Sequence, residues 1–191
     1  MVWTGHSPEK VHWDDLQVPA TGLRVAGAVS PPDVDNNYAG TLLFASNATE
    51  AVGLTVQLPH GYKEGSLLKP HVHWTKTTSE LGGVYWEMDY KWARIGEVIE
   101  ANWTTIGSSD VSNEPYAGED TATADLHLIT GLGDIDGTGS QISDMLLIVI
   151  KRIHDNAEDT YGADARLLEF DIHYQSDDPG SHQQFIKAPA E

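Results

Sequence analysis

The chain contains no cysteine. This absence excludes a disulfide framework, a thiolate nucleophile and a metal site with sulfur ligands. The fold must therefore be stabilised by packing or by association with other chains. A cysteine-free chain suits folding in the cytosol, although it does not fix where the protein works.

Positive charge is also scarce. Lys and Arg together number 11 against 29 for Asp and Glu, which gives the 191-residue chain a formal net charge of −18. A nucleic acid or another polyanion would be repelled at long range by this excess of carboxylates. We therefore expect no direct contact with nucleic acid.

Long apolar runs are missing too. The longest uninterrupted run covers residues 145–150, which is far short of the roughly 20 residues that a helix needs to cross a bilayer. The first residues have neither a basic region nor an apolar core, so no secretory signal is expected. The sequence predicts no membrane partner.

Helical periodicity is nearly absent, and short apolar or alternating runs are separated by Gly, Pro, Asn and Asp. This pattern is typical of all-β proteins. Because eight strands are what a jelly roll requires, we predict an all-β fold, namely an antiparallel β-sandwich or jelly roll with an extended N-terminal arm. The predicted strands cover residues 41–45, 51–58, 67–76, 84–95, 97–106, 122–129, 143–153 and 165–175.

Alternation predicts which side chains face the core. Residues 84, 86, 88, 90 and 92 share one face of their strand, and Leu168, Phe170, Ile172 and Tyr174 share one face of the last strand. Residues 145–150 do not alternate. We interpret them as a strand that is covered on both faces, near the centre of a sandwich or beneath a neighbouring subunit.

The sequence divides into an N-terminal arm or loop layer (residues 1–40), a sandwich domain (41–176) and a C-terminal tail (177–191). The arm shows no clear strand period and carries Trp3 and Trp13, which should cover an apolar surface of this chain or of a neighbour. The tail carries Phe185. These three aromatic residues are the predicted interaction residues.

The sharpest local motif is Gly65 to His73, in which His71 and His73 share one face of a strand and could bind one metal ion. It resembles the opening of the first cupin motif. The cupin pattern then needs a Glu three or four residues further on, whereas the first Glu here is Glu80. We therefore expect His71 and His73 to hydrogen-bond to their neighbours, and we assign no metal, cofactor or catalytic residue. A pH-sensitive or metal-stabilised subunit contact stays open, with His60, His127, His154 and His173 as further candidates.

A glycine-rich stretch, residues 133–139, resembles a calcium loop, but the position that needs Glu is Met145. We predict an ordinary loop there. Carboxylate pairs such as Glu87 with Asp89 and Glu169 with Asp171 are interpreted as solvated strand faces rather than as acid–base pairs.

Several blocks occur in an order that resembles tailed-bacteriophage virion proteins. They are residues 13–16, 57–66, 70–74 (Pro-His-Val-His-Trp), 167–174 and 180–185. The resemblance implies a non-enzymatic particle component, namely a capsid cement or decoration protein that binds the major capsid protein as a trimer. Its place would be the virion, after assembly in the host cytoplasm.

Two alternatives remain at this level. One is a tail, neck or head-fibre module that binds a receptor or a carbohydrate, with Tyr62, Tyr116 and Tyr161 exposed for stacking on sugars. The other is a cupin-like metal-dependent enzyme that uses His71 and His73.

Overall fold

The computed structural model describes residues 11–27, 29–108, 121–177, 180, 181 and 187. Trp3, Tyr116 and Phe185 lie outside this range. Two short 3-10 turns, Ala20–Gly22 and Asn36–Tyr38, are the helical elements of the described residues, and no helix among them is long and apolar enough to span a membrane. The strands are β1 (His12–Pro19), β2 (Arg24–Val25), β3 (Asp33–Asp35), β4 (Thr41–Phe44), β5 (Glu50–Gln57), β6 (Leu68–Lys76), β7 (Trp86–Ala93), β8 (Thr104–Gly107), β9 (Leu128–Gly131), β10 (Met145–Arg152) and β11 (Ala165–Ser176).

The strands form two antiparallel sheets that pack as a sandwich. A six-stranded sheet has the order β3-β4-β11-β6-β9, with β1 also paired to β11, and a five-stranded sheet has the order β2-β5-β10-β7-β8. The strands β4 to β11 form the jelly roll, with β4-β11-β6-β9 in one sheet and β5-β10-β7-β8 in the other. The predicted fold class is confirmed, and each of the eight predicted strands corresponds to one of these eight.

Alternation also predicted the core of β7 correctly. Trp86 and Met88 are fully buried, and Tyr90 and Trp92 are nearly so. The β10 strand lies at the centre of the five-stranded sheet, as its unbroken apolar run predicted. On its outward face Met145 is exposed and Leu147, Val149 and Lys151 are half-buried, so this chain by itself does not cover both faces of the strand. The core joins both sheets, for example through the edge-to-face contact of Phe44 with Trp86 at 5.1 Å.

Two strand predictions were displaced along the chain. The strand predicted for residues 97–106 begins only at Thr104, and the one predicted for 122–129 begins at Leu128. After the turn at Arg94–Glu97, Val98 is 93% exposed. No core surface is available to it, so local β propensity there does not produce a strand.

The N-terminal segment differs from the expected arm without strands. Residues 12–19 form β1, which pairs along its whole length with β11, so that Leu16 lies opposite Ile172 and Val18 opposite Phe170. Leu16 and Val18 pack against the core. Only Leu16 and Val18 of this strand pack against the core, too few for a clear period. Trp13 is 49% exposed.

A β-bulge changes the orientation of one end of β11. The pairing with β6 shifts between Leu167 and Glu169, and a bulge of this kind inserts one unpaired residue into a strand. Leu167 is therefore fully buried, while Leu168, which simple alternation placed in the core, is half-buried. The bulge corrects the predicted orientation of Leu168.

Candidate functional site

The outer face of the six-stranded sheet carries a cluster of histidines and carboxylates, which we call the histidine cluster: His71, His73, His127, Asp171, His173 and Asp15. On β6, Val72 and Trp74 are fully buried in the core, so His71 and His73 face outward. Strand register places Asp171 of β11 opposite His71 and Asp15 of β1 opposite His173. The neighbouring strands β1, β11 and β6 therefore bring five of these residues together, and His127 joins them from the segment before β9.

Three of the histidines form a chain of short contacts. The Nε2 atoms of His71 and His73 are 3.1 Å apart, and Nδ1 of His73 lies 2.7 Å from Nε2 of His127. The His173 ring packs against the His71 ring at 4.3 Å between centroids, and its Nε2 lies 3.2 Å from Oδ1 of Asp15. The predicted pairing of His71 and His73 on one strand face is confirmed.

Asp171 is the least satisfied member of the cluster. Its side chain is 3% exposed, its Oδ2 lies 3.6 Å from Nε2 of His71 and 3.9 Å from Nε2 of His73, and its Oδ1 has no hydrogen-bond partner among the described residues. Burial, followed by the charges of Asp15 and Glu169, raises the pKa of Asp171 to about 7. A buried carboxylate without hydrogen bonds is costly and calls for a cation or a proton.

The two central histidines are held neutral. Burial, and then the neighbouring His173 and His73, lower the pKa of His71 to about 4. Burial, and then His127 and His173, also lower the pKa of His73. A neutral imidazole has one nitrogen with a free lone pair, which is the form that binds metal ions. Both side chains are therefore in the ligand-competent state at neutral pH.

The cluster lines a cavity of about 270 Å³ whose wall also includes Gln17, Lys69 and Asp134. Lys69 is engaged by Asp134 at 2.8 Å, which leaves the centre of the cluster to the histidines and Asp171. His60 and His154 lie elsewhere, bonded to Ser181 and Thr49 respectively. Of the further candidates from the sequence, the structure thus brings His127 and His173 to the pair.

Sequence reasoning assigned Asp171 to a solvated strand face and gave no role to Asp15. Both belong to the cluster because of the register between β1, β11 and β6. Alternation correctly placed Asp171 on the outer face, but only the neighbouring strands make that position buried.

A second surface feature lies on the other sheet. An apolar groove of about 710 Å³ crosses the outer face of the five-stranded sheet. Leu147 and Val149 of β10 line it, and Gly53 of β5 allows Ala26 to approach closely, since a Cβ atom at this residue would lie 3.3 Å from the Cβ of Ala26. Trp103 closes one side, 46% exposed, with Nζ of Lys91 4.8 Å from its ring centroid.

The polar groups at the edge of this groove are mostly paired. Lys151 binds Glu87 at 2.5 Å and Asp89 at 2.7 Å, so that carboxylate pair is engaged in an ion-pair network. Arg24, on β2, lies at the other side and is exposed. The groove is thus mainly apolar with basic groups on its rim.

The tyrosines expected to stack on sugars are placed differently. Tyr62 and Tyr161 are buried, with the Tyr62 hydroxyl donating to the Ser66 carbonyl at 2.6 Å. This part of the carbohydrate-binding interpretation is wrong for these two residues, because their rings fill the core.

The glycine-rich stretch is an ordinary loop in which Asp136 accepts a hydrogen bond from the backbone of Thr138 at 2.9 Å.

Comparison with known proteins identifies no family for this chain. No protein-family profile and no curated protein matches it. Among solved structures it is similar to a carbohydrate-binding module, TmCBM61, solved in complex with β-1,4-galactotriose. The similarity has a TM-score of 0.33 and 14% sequence identity, and it covers 90% of each chain.

Proposed function

We propose that the protein is a non-enzymatic structural component of a tailed-bacteriophage virion, namely a cement or decoration protein that binds the outer capsid shell as a homo-oligomer, with a trimer as the expected form, and stabilises the head. The observation that carries this proposal is the apolar groove on the outer face of the five-stranded sheet. We infer that the particle is a phage virion from the sequence blocks, which resemble those of phage virion proteins and occur in the same order.

A β-sandwich needs apolar side chains only on the two faces that pack against each other. Outward Leu147 and Val149 on the central strand, together with the exposed indole of Trp103, are therefore not required by the fold. A contiguous apolar patch with a polar rim is typical of a protein contact surface. Aromatic side chains at its edge are frequent anchors in such contacts.

The major capsid protein is the occupant that we propose for the groove. Each copy of this chain carries a net charge of −18, so contacts between copies, including those of the expected trimer, form against long-range repulsion. Many equivalent attachment points on a shell make a weak individual contact sufficient, because multivalency raises the effective concentration.

The test is a binding assay between purified protein and undecorated heads. We expect wild-type protein to sediment with heads and to raise the temperature at which they release DNA. Leu147→Asp and Trp103→Ser should lose both effects while keeping the wild-type circular dichroism spectrum. The matched control is Leu81→Asp, because Leu81 is 64% exposed and does not line the groove.

Wild-type attachment by both groove variants would refute the groove as the contact. Loss of oligomerisation in these variants, measured by sedimentation, would show that a second copy fills it instead. Wild-type protein that never binds heads, or that is located on the tail in particle images, would overturn the cement function.

A further inference from the structure

We propose that His71, His73 and Asp171 form a binding site for one divalent transition-metal ion of the zinc class on the outer face of the six-stranded sheet. The proposal is independent of capsid attachment, because it concerns the opposite sheet from the apolar groove. It rests on the geometry of three ligand atoms, on the hydrogen bonds behind them and on the unpartnered carboxylate.

The three candidate ligand atoms already surround a common point. Nε2 of His71, Nε2 of His73 and Oδ2 of Asp171 form a triangle with sides of 3.1, 3.6 and 3.9 Å. The point equidistant from these atoms lies about 2.1 Å from each, which matches Zn–N bonds of about 2.0–2.1 Å and Zn–O bonds of about 2.0–2.2 Å. The three distances are therefore compatible with one bound ion.

The hydrogen bonds behind the ligands favour the required tautomer of His73. With Nε2 directed at the ion, Nδ1 must carry the proton, and it lies 2.7 Å from Nε2 of His127, which can accept it. In metal-binding histidines, the ring nitrogen that does not bind the metal generally donates its N–H to an acceptor, and this acceptor fixes the orientation of the ring. His127 is thus a positioning residue for the proposed site.

The surroundings of Asp171 support a bound cation independently of the distances between the ligand atoms. A chain of hydrogen bonds from His71 through His73 to His127 could form without a metal, but it would leave this carboxylate, 3% exposed, without a hydrogen bond to the described residues. The atom without a partner is Oδ1, and a cation bound at Oδ2 would balance the charge of the whole carboxylate. Asp15 and Glu169 add negative charge around Asp171, which also favours a cation.

His173 lies next to the proposed ion. Its ligand atom and those of His71 and Asp171 are all within 4.8 Å of one another. Histidine and carboxylate ligands without cysteine suit Zn²⁺ and its neighbours in the transition series rather than the all-oxygen sites of Ca²⁺ and Mg²⁺. We expect the ion to stabilise the fold, because it would bridge β6 and β11 and would bind only the folded chain.

The experiment uses the untagged full chain after removal of metal with a chelator. Titration with ZnCl₂ should show saturable binding of one ion per chain and a rise in the thermal unfolding midpoint, and CoCl₂ should produce visible d–d absorption. His71→Gln and Asp171→Asn should weaken Zn²⁺ binding more than His127→Gln, for which we expect a loss of about 10–100-fold.

The matched control is His154→Gln, which removes a histidine that lies outside the cluster and should retain wild-type affinity. Circular dichroism of each metal-free variant establishes that it is folded. Absence of saturable binding by the wild-type chain, or unchanged affinity in folded His71→Gln and Asp171→Asn, would overturn the proposal. Neither result would bear on head binding, so the two proposals fail separately.

Discussion

Arg166 and Asp171 project from the same side of β11, although residues separated by an odd number of positions face opposite sides of a regular strand. The bulge between Leu167 and Glu169 produces this arrangement. On one side of it, Arg166 binds Asp35 at 3.0 Å and Asp125 at 2.6 Å. On the other side, Asp171 enters the histidine cluster. One inserted residue thus places both an ion-pair network and the proposed metal site on the outer face.

The buried ion pair of Arg152 with Asp159 should be essential for stability. Arg152 is fully buried, binds both carboxylate oxygens of Asp159 at 2.8 and 2.9 Å, and donates to the carbonyls of Phe44, Ala163 and Tyr161. Arg152→Met would leave Asp159 buried without its partner. We expect a loss of about 3–5 kcal/mol in the free energy of unfolding, measured by urea denaturation.

The control for this variant is Lys69→Met. The Lys69–Asp134 pair has side chains that are 46% and 45% exposed, and such surface pairs contribute about 0–1 kcal/mol. Equal losses for the two variants would contradict the assigned role of Arg152.

Deletion of residues 1–19 should destabilise the sandwich, although this segment precedes the eight jelly-roll strands. It would remove β1, uncover the edge of β11 that now pairs with it, and expose the core beneath Leu16 and Val18. Unpaired strand edges also promote aggregation. We expect a lower urea midpoint and increased light scattering on warming.

Trp13→Ser is the comparison for this deletion, because it keeps β1 and changes only a half-exposed side chain. Its effect should stay within about 0.5 kcal/mol. A deleted chain as stable as the wild type would show that β1 contributes little to folding.

Alkaline pH should weaken the attachment of β1 through Tyr174. The Tyr174 hydroxyl donates to Oδ2 of Asp14 at 3.0 Å, and burial, followed by this hydrogen bond and the Asp14 charge, raises the pKa of Tyr174 to about 12. The folded state therefore retains the phenol proton more strongly than the unfolded chain, whose tyrosines titrate near about 10. The contribution is complete below about pH 10 and is lost as the pH rises towards 12.

Tyr174→Phe should accordingly reduce the fall in unfolding free energy between pH 9 and 11.5, measured by urea denaturation across that range. Part of the fall should persist, because burial also raises the pKa of Tyr62 and of Tyr90. An identical pH dependence in wild type and variant would contradict the role of Tyr174.

The fold was predictable to the extent that side chains alternate. In β7 and in most of β11, residues of one parity are apolar and those of the other are polar, and this pattern places them without knowledge of neighbouring strands. The β1 strand and the bulge at Leu168 were missed because their signals are not periodic. Pairing with β11 makes residues 12–19 a strand, although few of their own side chains are apolar.

The site was predictable only in part. The spacing of His71 and His73 placed both imidazoles on one face, whereas Asp171 and His127 are far away in the sequence and carry no motif. Likewise, the apolar run of β10 indicated a central strand, but the groove also requires Trp103 from another segment.

The sequence by itself determined the all-β class, the eight jelly-roll strands and the outward direction of the histidine pair, because these follow from local alternation and turn residues. The tertiary structure alone decided which carboxylate meets that pair, which aromatic rings are buried and where the outer surface is apolar. Those features depend on the register between strands that are distant in the chain, and register is fixed by the packing of the whole sandwich.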